Sequence, residues 1–389
     1  MRALALRRLP PGGSPIRGEE LRRLLGLRAP AVALRGGLEE HLGTAVGLRV
    51  SGRDAMRVAL GELARETGRD EVIVPAFTCF SVPAAAVAAG LRVRLVDVTE
   101  RGALDPTALE ALPLERAAAV VVSNLFGVPE PVGPIRDRVE PAGVRVVDDA
   151  AQALGATGPE GPVGSRGARG ILSFGRGKPL EALGGGALVG GGSPGAPETV
   201  EPGDAGRLPA LLAALGYRLA TSGALYGWIA SIPALGVGRT VFDPGFPQGE
   251  IRARCAALGA ARLPDLEAHR AERAREAERI ASAVAGRPGL RPLLAPSGWT
   301  GAYPRLAIRV ADADTRERVL AALEPLGAGA GRLYPTSLAR VAALAPHRVE
   351  ASECPGAEAL CDGLFTLPTH GRWHAEQRER IVEVLHRTA

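Results

Sequence analysis

The chain reads as an α/β protein, with a large domain built on a mostly parallel sheet flanked by helices and a smaller α+β domain at the C-terminal end. Three observations predict this. From Ser51 onward, short apolar runs of buried-strand length alternate with helical patterns, the order that builds a parallel sheet covered on both faces. After Gly249 the pattern changes to a long charged helix and then a lone strand among helices. With 389 residues, 46% hydrophobic and 23% charged, the chain can bury a large core and suits two soluble domains.

Residues 1–50 carry the turn-forming Pro10-Pro11-Gly12-Gly13 and a helical run with leucines on one face, and are expected to form an arm on the main body. The large domain, 51–249, has strand candidates at 72–75, 93–96, 118–122 and 144–147, with helical segments near 54–67, 81–89, 106–111 and 132–140 between them. Two further candidates, 171–174 and 187–189, bracket a loop that carries Lys178. A Gly/Pro/acidic stretch at 191–206 lacks periodicity and reads as a surface loop. An apolar insertion follows near 209–238, and its uncharged run 219–237 holds hydroxyl residues, glycines and Pro233. That composition makes a poor membrane span, and a buried or subunit-interface helical pair is the commoner explanation. The small domain, 250–389, should hold helices at 264–284, 313–324 and 376–387 and a strand at 306–310.

Composition narrows the function classes. A net charge of +5 comes from arginines spread along the chain, without the basic run and interleaved aromatics of a nucleic-acid surface. Four cysteines with no CxxC pair do not make a disulfide scaffold, and residues 1–10 lack the apolar core of a secretory signal, so a cytoplasmic protein is expected. No metal site is expected: Cys354 and Cys361 are spaced for helical packing, and His370 and His374 have no second pair of ligands.

Lys178 is the only lysine among 47 basic residues, which leaves 46 arginines. A guanidinium stays charged, whereas an amine can be pushed toward neutrality by burial, and neutral amines attack carbonyls. One lysine kept in so arginine-rich a chain is either a chance surface residue or a Schiff-base nucleophile. Asp148-Asp149-Ala150-Ala151-Gln152 follows a strand directly, where a parallel sheet presents ligand groups, although an aspartate there is also often a helix cap. Ser51-Gly52-Arg53-Asp54 opens a helix and suits a phosphate, or is an ordinary helix start. Tyr334 and Trp373 are candidates for the small-domain wall of a pocket.

Taken together, Ser51-Gly52, Val72-Ile73-Val74-Pro75-Ala76-Phe77-Thr78, Asn124-Leu125-Phe126-Gly127, Asp148-Asp149-Ala150-Ala151-Gln152, Ser173-Phe174 with Lys178, Gly185-Gly186-Ala187 and Leu364-Phe365-Thr366-Leu367-Pro368 resemble, in order and spacing, the DegT/StrS class of sugar aminotransferases. These are fold-type-I enzymes dependent on pyridoxal phosphate (PLP), and the likeness covers nearly the whole chain. The resemblance implies that Lys178 carries PLP as a Schiff base, Asp149 pairs with the pyridinium nitrogen, Gln152 lies against the ring or its hydroxyl, Ser173 binds the phosphate, and Gly52 with Arg53 completes the phosphate cup. It also implies a homodimer acting on an amino acid donor, glutamate by family habit, and a keto-sugar acceptor that is nucleotide-linked. Three positions depart from the pattern: Arg53 replaces a hydroxyl residue, Cys79 the stacking aromatic, and Asn124, the only asparagine, a histidine. Those departures keep two alternatives open, a catalytically idle PLP-fold scaffold with regulatory or membrane-associated work, and a PLP-dependent dehydratase.

Overall fold

The computed structural model describes residues 9–191, 207–222, 225–227, 241–351 and 353–388. All but the first residue of the expected surface loop 191–206, and most of the uncharged run 219–237, lie outside the described residues. Two helices, α1 (Gly18–Gly26) and α2 (Pro30–Leu42), lead into strand β1 (Val46–Arg49). Then follow α3 (Gly52–Thr67), β2 (Glu71–Pro75), α4 (Ser81–Ala88), β3 (Arg92–Val96), α5 (Pro106–Glu110), β4 (Ala117–Ser123), α6 (Gly133–Val139) and β5 (Arg145–Asp149). A short hairpin, β6 (Thr157–Gly158) and β7 (Gly161–Pro162), precedes β8 (Arg169–Ser173) and β9 (Gly186–Val189).

The main sheet has seven strands in the order β1-β9-β8-β5-β4-β2-β3. From β3 through β8 neighbours are parallel, whereas β9 runs antiparallel to both β8 and β1. β2 and β4 are buried at every position, which is why their sequences run apolar without alternation. Ser51 caps α3 by accepting from the Asp54 amide at 3.1 Å, and Gly68 ends that helix in the left-handed region. The Ala55, Ala59, Leu60 and Leu63 face of α3 packs on the sheet, which sets the N-terminus of α3 beside the ends of β8 and β9.

A second sheet, β10 (Arg291–Pro292), β11 (Arg305–Arg309) and β12 (Leu364–Pro368), is antiparallel. The later part of the chain also forms the helices α7 (Arg207–Ala220), α8 (Ala253–Arg262), α9 (Leu266–Ala283), α10 (Ala313–Leu323), α11 (Pro355–Gly363) and α12 (Ala375–Thr388). Ile280, Ile308, Val319, Phe365 and Ile381 form a core between the small sheet and its helices.

Several boundaries differ from the sequence reading. β1 falls inside the stretch expected to be an arm, yet pairs along its length with β9. α8 packs on α2 and α7, burying Ala257 and Ala261 against Leu24 and Ala210. Trp373 is buried in the small-sheet core, with its indole N–H donating to the Ala328 carbonyl at 3.2 Å, so it walls no pocket near Lys178. α7 buries Ala210 and Ala214 but exposes Leu208, Leu212, Leu215 and Leu219. No described helix is long and apolar enough to cross a membrane.

Candidate active site

The carboxyl ends of β4, β5 and β8 and the N-terminus of α3 surround a cavity of about 220 Å³. The six residues that the resemblance assigned to the cofactor, Gly52, Arg53, Asp149, Gln152, Ser173 and Lys178, line it, whereas the wall candidates Tyr334 and Trp373 do not. Register explains the gathering: Ser123 on β4 pairs with Asp149 on β5, and Asp149 with Ile171 on β8, so the three strand ends emerge side by side.

The Asp148-Asp149 doublet divides its work because successive strand side chains face opposite ways. Asp148 is fully buried beneath the cavity in an ion pair with Arg166 at 2.8 Å, and accepts further from the Gly164 amide at 2.7 Å and the Asn124 amide at 2.8 Å. Asn124 also accepts from Arg166 at 2.9 Å and from the Glu130 amide at 2.9 Å. Asp149 faces the cavity, with one carboxylate oxygen accepting from the Ala151 amide at 3.0 Å. Burial raises its pKa to about 6, against the lowering pull of that amide and the Lys178 ammonium. This is a carboxylate short of positive charge.

Gly52 is required where it stands: a Cβ there would lie 2.9 Å from Ser173 Cβ and 3.1 Å from the Leu172 carbonyl oxygen. The first turn of α3 with its helix dipole and the Ser173 hydroxyl therefore converge on one corner of the cavity. Arg53 adds a cation there and rests 5.4 Å from the centroid of the Phe246 ring. The neighbouring Asp54 is fully buried and already paired with Arg49 and Arg57, both at 2.8 Å. An anion is the ligand this corner fits.

Gln152 lines the cavity but its amide is committed at both ends, accepting from the Phe126 amide at 3.1 Å and donating to the Tyr334 hydroxyl at 2.7 Å. Tyr334 lies behind it, edge-on to Phe77 with ring centroids 5.3 Å apart. Cys79 lines the opposite side with Val82, and no aromatic side chain is among the described residues lining the cavity. Sequence reading missed Arg166, Glu130 and the Asp148 network, because none belongs to a recognisable spacing; the acidic doublet itself was the one available signal. Glu20, Asp265 and His269 gather three donor atoms within 4.8 Å of one another, but Arg262 and Arg23 already pair with the two carboxylates. That cluster is an ion-pair net.

A buried carboxylate seeking a cation, an amine, and an anion-binding helix end, set around one cavity on a parallel sheet, define the class of fold-type-I PLP enzymes. The DegT/DnrJ/EryC1/StrS aminotransferase family matches residues 32–198 and 240–386, and the chain belongs to that family. It is a family of PLP-dependent transaminases. A UDP-N-acetyl-3-dehydro-alpha-D-glucosamine 3-aminotransferase from Acidithiobacillus ferrooxidans is 29% identical over 341 residues, covering 87% of this chain and 82% of the relative. A sugar aminotransferase of Streptococcus pneumoniae in its PMP form superposes with a TM-score of 0.76 at 19% identity, covering 97% of both chains. PseC, an aminotransferase of pseudoaminic acid biosynthesis in Helicobacter pylori, gives a TM-score of 0.76 at 16% identity over 98% of this chain and 99% of that one.

Proposed function

We propose that this aminotransferase moves an amino group from an amino acid donor, glutamate, to the keto group of a nucleotide-linked sugar, with Lys178 as the catalytic residue. The observation that carries the reading is the meeting of the only lysine with the buried Asp149 carboxylate in one cavity. The name of the Acidithiobacillus ferrooxidans relative supports the nucleotide-sugar acceptor. Neither the idle scaffold nor the dehydratase is favoured.

When bound, PLP supplies an electron sink for the carbon that loses its proton. Lys178 would hold its carbonyl carbon and, once released, its amine would carry that proton between substrate and cofactor. Asp149 would face the ring nitrogen and keep it protonated, which satisfies the charge the carboxylate lacks. Gly52, Arg53 and Ser173 would hold the phosphate, with the guanidinium taking the place of a hydroxyl. Gln152, pinned by Phe126 and Tyr334, would wall the ring as a fixed surface, and Cys79 with Val82 would pack where an aromatic commonly stacks.

The proposal extends to organisation. The arm 1–50, large domain 51–249 and small domain 250–389 are kept as its three parts, with β1 assigned to the sheet. The protein is further proposed to work as a cytoplasmic homodimer. Its first test is an absorbance spectrum of the purified chain with PLP before and after glutamate. A visible band that glutamate converts to the pyridoxamine form supports the reading, and a chain that forms no such band overturns it.

A further inference from the structure

Lys178 lies on a loop whose base is closed at Phe174, where one carbonyl accepts from the Ala182 amide at 2.8 Å and the Gly184 amide at 3.2 Å. The tip is held differently. Gly177, in the left-handed region, donates its amide to the Glu181 carboxylate at 3.0 Å, and the same oxygen accepts from the Tyr217 hydroxyl at 2.5 Å. Glu181 is 1% exposed, and among the described residues its second oxygen has no hydrogen-bond partner. Burying a carboxylate with half its valences unused is costly, and the site retains it because the other oxygen joins two segments. Gly13 of the arm closes over this junction, so near that a Cβ would sit 2.5 Å from the idle oxygen and 2.8 Å from the Tyr217 hydroxyl. From below, Arg262 donates to the Glu181 carbonyl at 2.8 Å and Arg273 to that of Pro179 at 3.4 Å.

We propose that Glu181 is a positioning residue for Lys178, latched by Tyr217, so that the seating of α7 sets how the lysine is presented to the cavity. This rests on the transaminase reading for its consequence in catalysis, and on the geometry above for the latch itself. Tyr217→Phe removes one donor, Glu181→Ala removes the junction, and Glu181→Gln keeps an oxygen able to accept from both.

Because the chain has one lysine, an amine-acylating reagent has one side-chain target, and mass spectrometry of the peptide carrying Lys178 reads the loop in the cofactor-free chain, where the amine is uncommitted. In Tyr217→Phe and Glu181→Ala, acylation should quicken about threefold while PLP capture and kcat fall about tenfold, with donor KM unchanged. Glu181→Gln should recover most of what Glu181→Ala loses. Parental acylation and capture rates in folded Tyr217→Phe would overturn the latch, and that variant decides alone if Glu181→Ala does not fold. A parental chain that captures no PLP sinks the proposed function instead, and the acylation arm still decides the latch.

Discussion

Asp148 and Asp149 share a strand end and a side-chain type, yet one is spent on Arg166 and the other is left facing the cavity. Asp149→Asn should lower turnover about 10²–10³-fold, the usual cost of one preorganised electrostatic group, measured as kcat with glutamate. Lys178→Arg should abolish both the visible band of the PLP-loaded protein and turnover, since a guanidinium does not form the Schiff base. Glu130 gives a test by pH. Burial raises its pKa to about 8 from the ordinary 4.5, so the folded protein holds that proton more tightly than the unfolded chain. Its stabilising effect is therefore full below the unfolded value and lost as pH rises through about 8. Glu130→Gln keeps an acceptor for the Leu104 amide and cannot ionise, so denaturant titrations should show it gaining about 1–3 kcal/mol on the parent at alkaline pH. The sequence pointed to the six residues that meet in the cavity because five lie at or just beyond a strand end or helix start and Lys178 is the only lysine. Arg166 and Glu130 were not legible, since Arg166 pairs with Asp148 and meets Glu130 at its backbone carbonyl, contacts that follow no spacing rule, and one arginine among 46 carries no signal.

Among the elements, α3 and the strand ends it meets do most to shape the cavity. Gly52→Ala places a methyl group against Ser173 and the Leu172 carbonyl, and should weaken PLP affinity about tenfold in equilibrium titration, the worth of one disturbed hydrogen bond. The same methyl crowds Ser173 Cβ and the Leu172 carbonyl at the buried start of α3, so the thermal midpoint should fall as well. Strands β2 and β4 were readable because unbroken apolar runs of strand length mark the interior of a parallel sheet, and β3 and β5 because valines and leucines surround a single arginine in 93–96 and 144–147. β1 was not: Val46-Gly47-Leu48-Arg49 is four residues long, contains a glycine and shows no clean alternation. Trp373 misled for a related reason, because an aromatic near a family-like segment looks the same in sequence whether it packs in a core or walls a pocket.

At the scale of the whole molecule, the homodimer is the statement most open to a direct measurement. Light scattering on the purified chain should give a mass near twice the 40.2 kDa of one copy. A monomer at working concentration would remove that part of the proposal and leave the cavity chemistry untouched. The exposed leucines of α7 were hidden from sequence reading because an apolar insertion announces burial without saying whether the chain itself supplies the cover.

The pairing of β1 with β9 has a consequence for how the protein comes into being. Val46 waits for Val189, and Ser51 for Gly185. A ribosome delivers β1 long before β9, its one strand partner among the described residues, so the nascent chain carries β1 without that partner until β9 has been made. The helix start at Gly52 and the loop of Lys178 are brought to their final separation by that last strand exchange. During synthesis the cavity therefore cannot be complete until β9 has been made, however early Gly52 and its helix emerge.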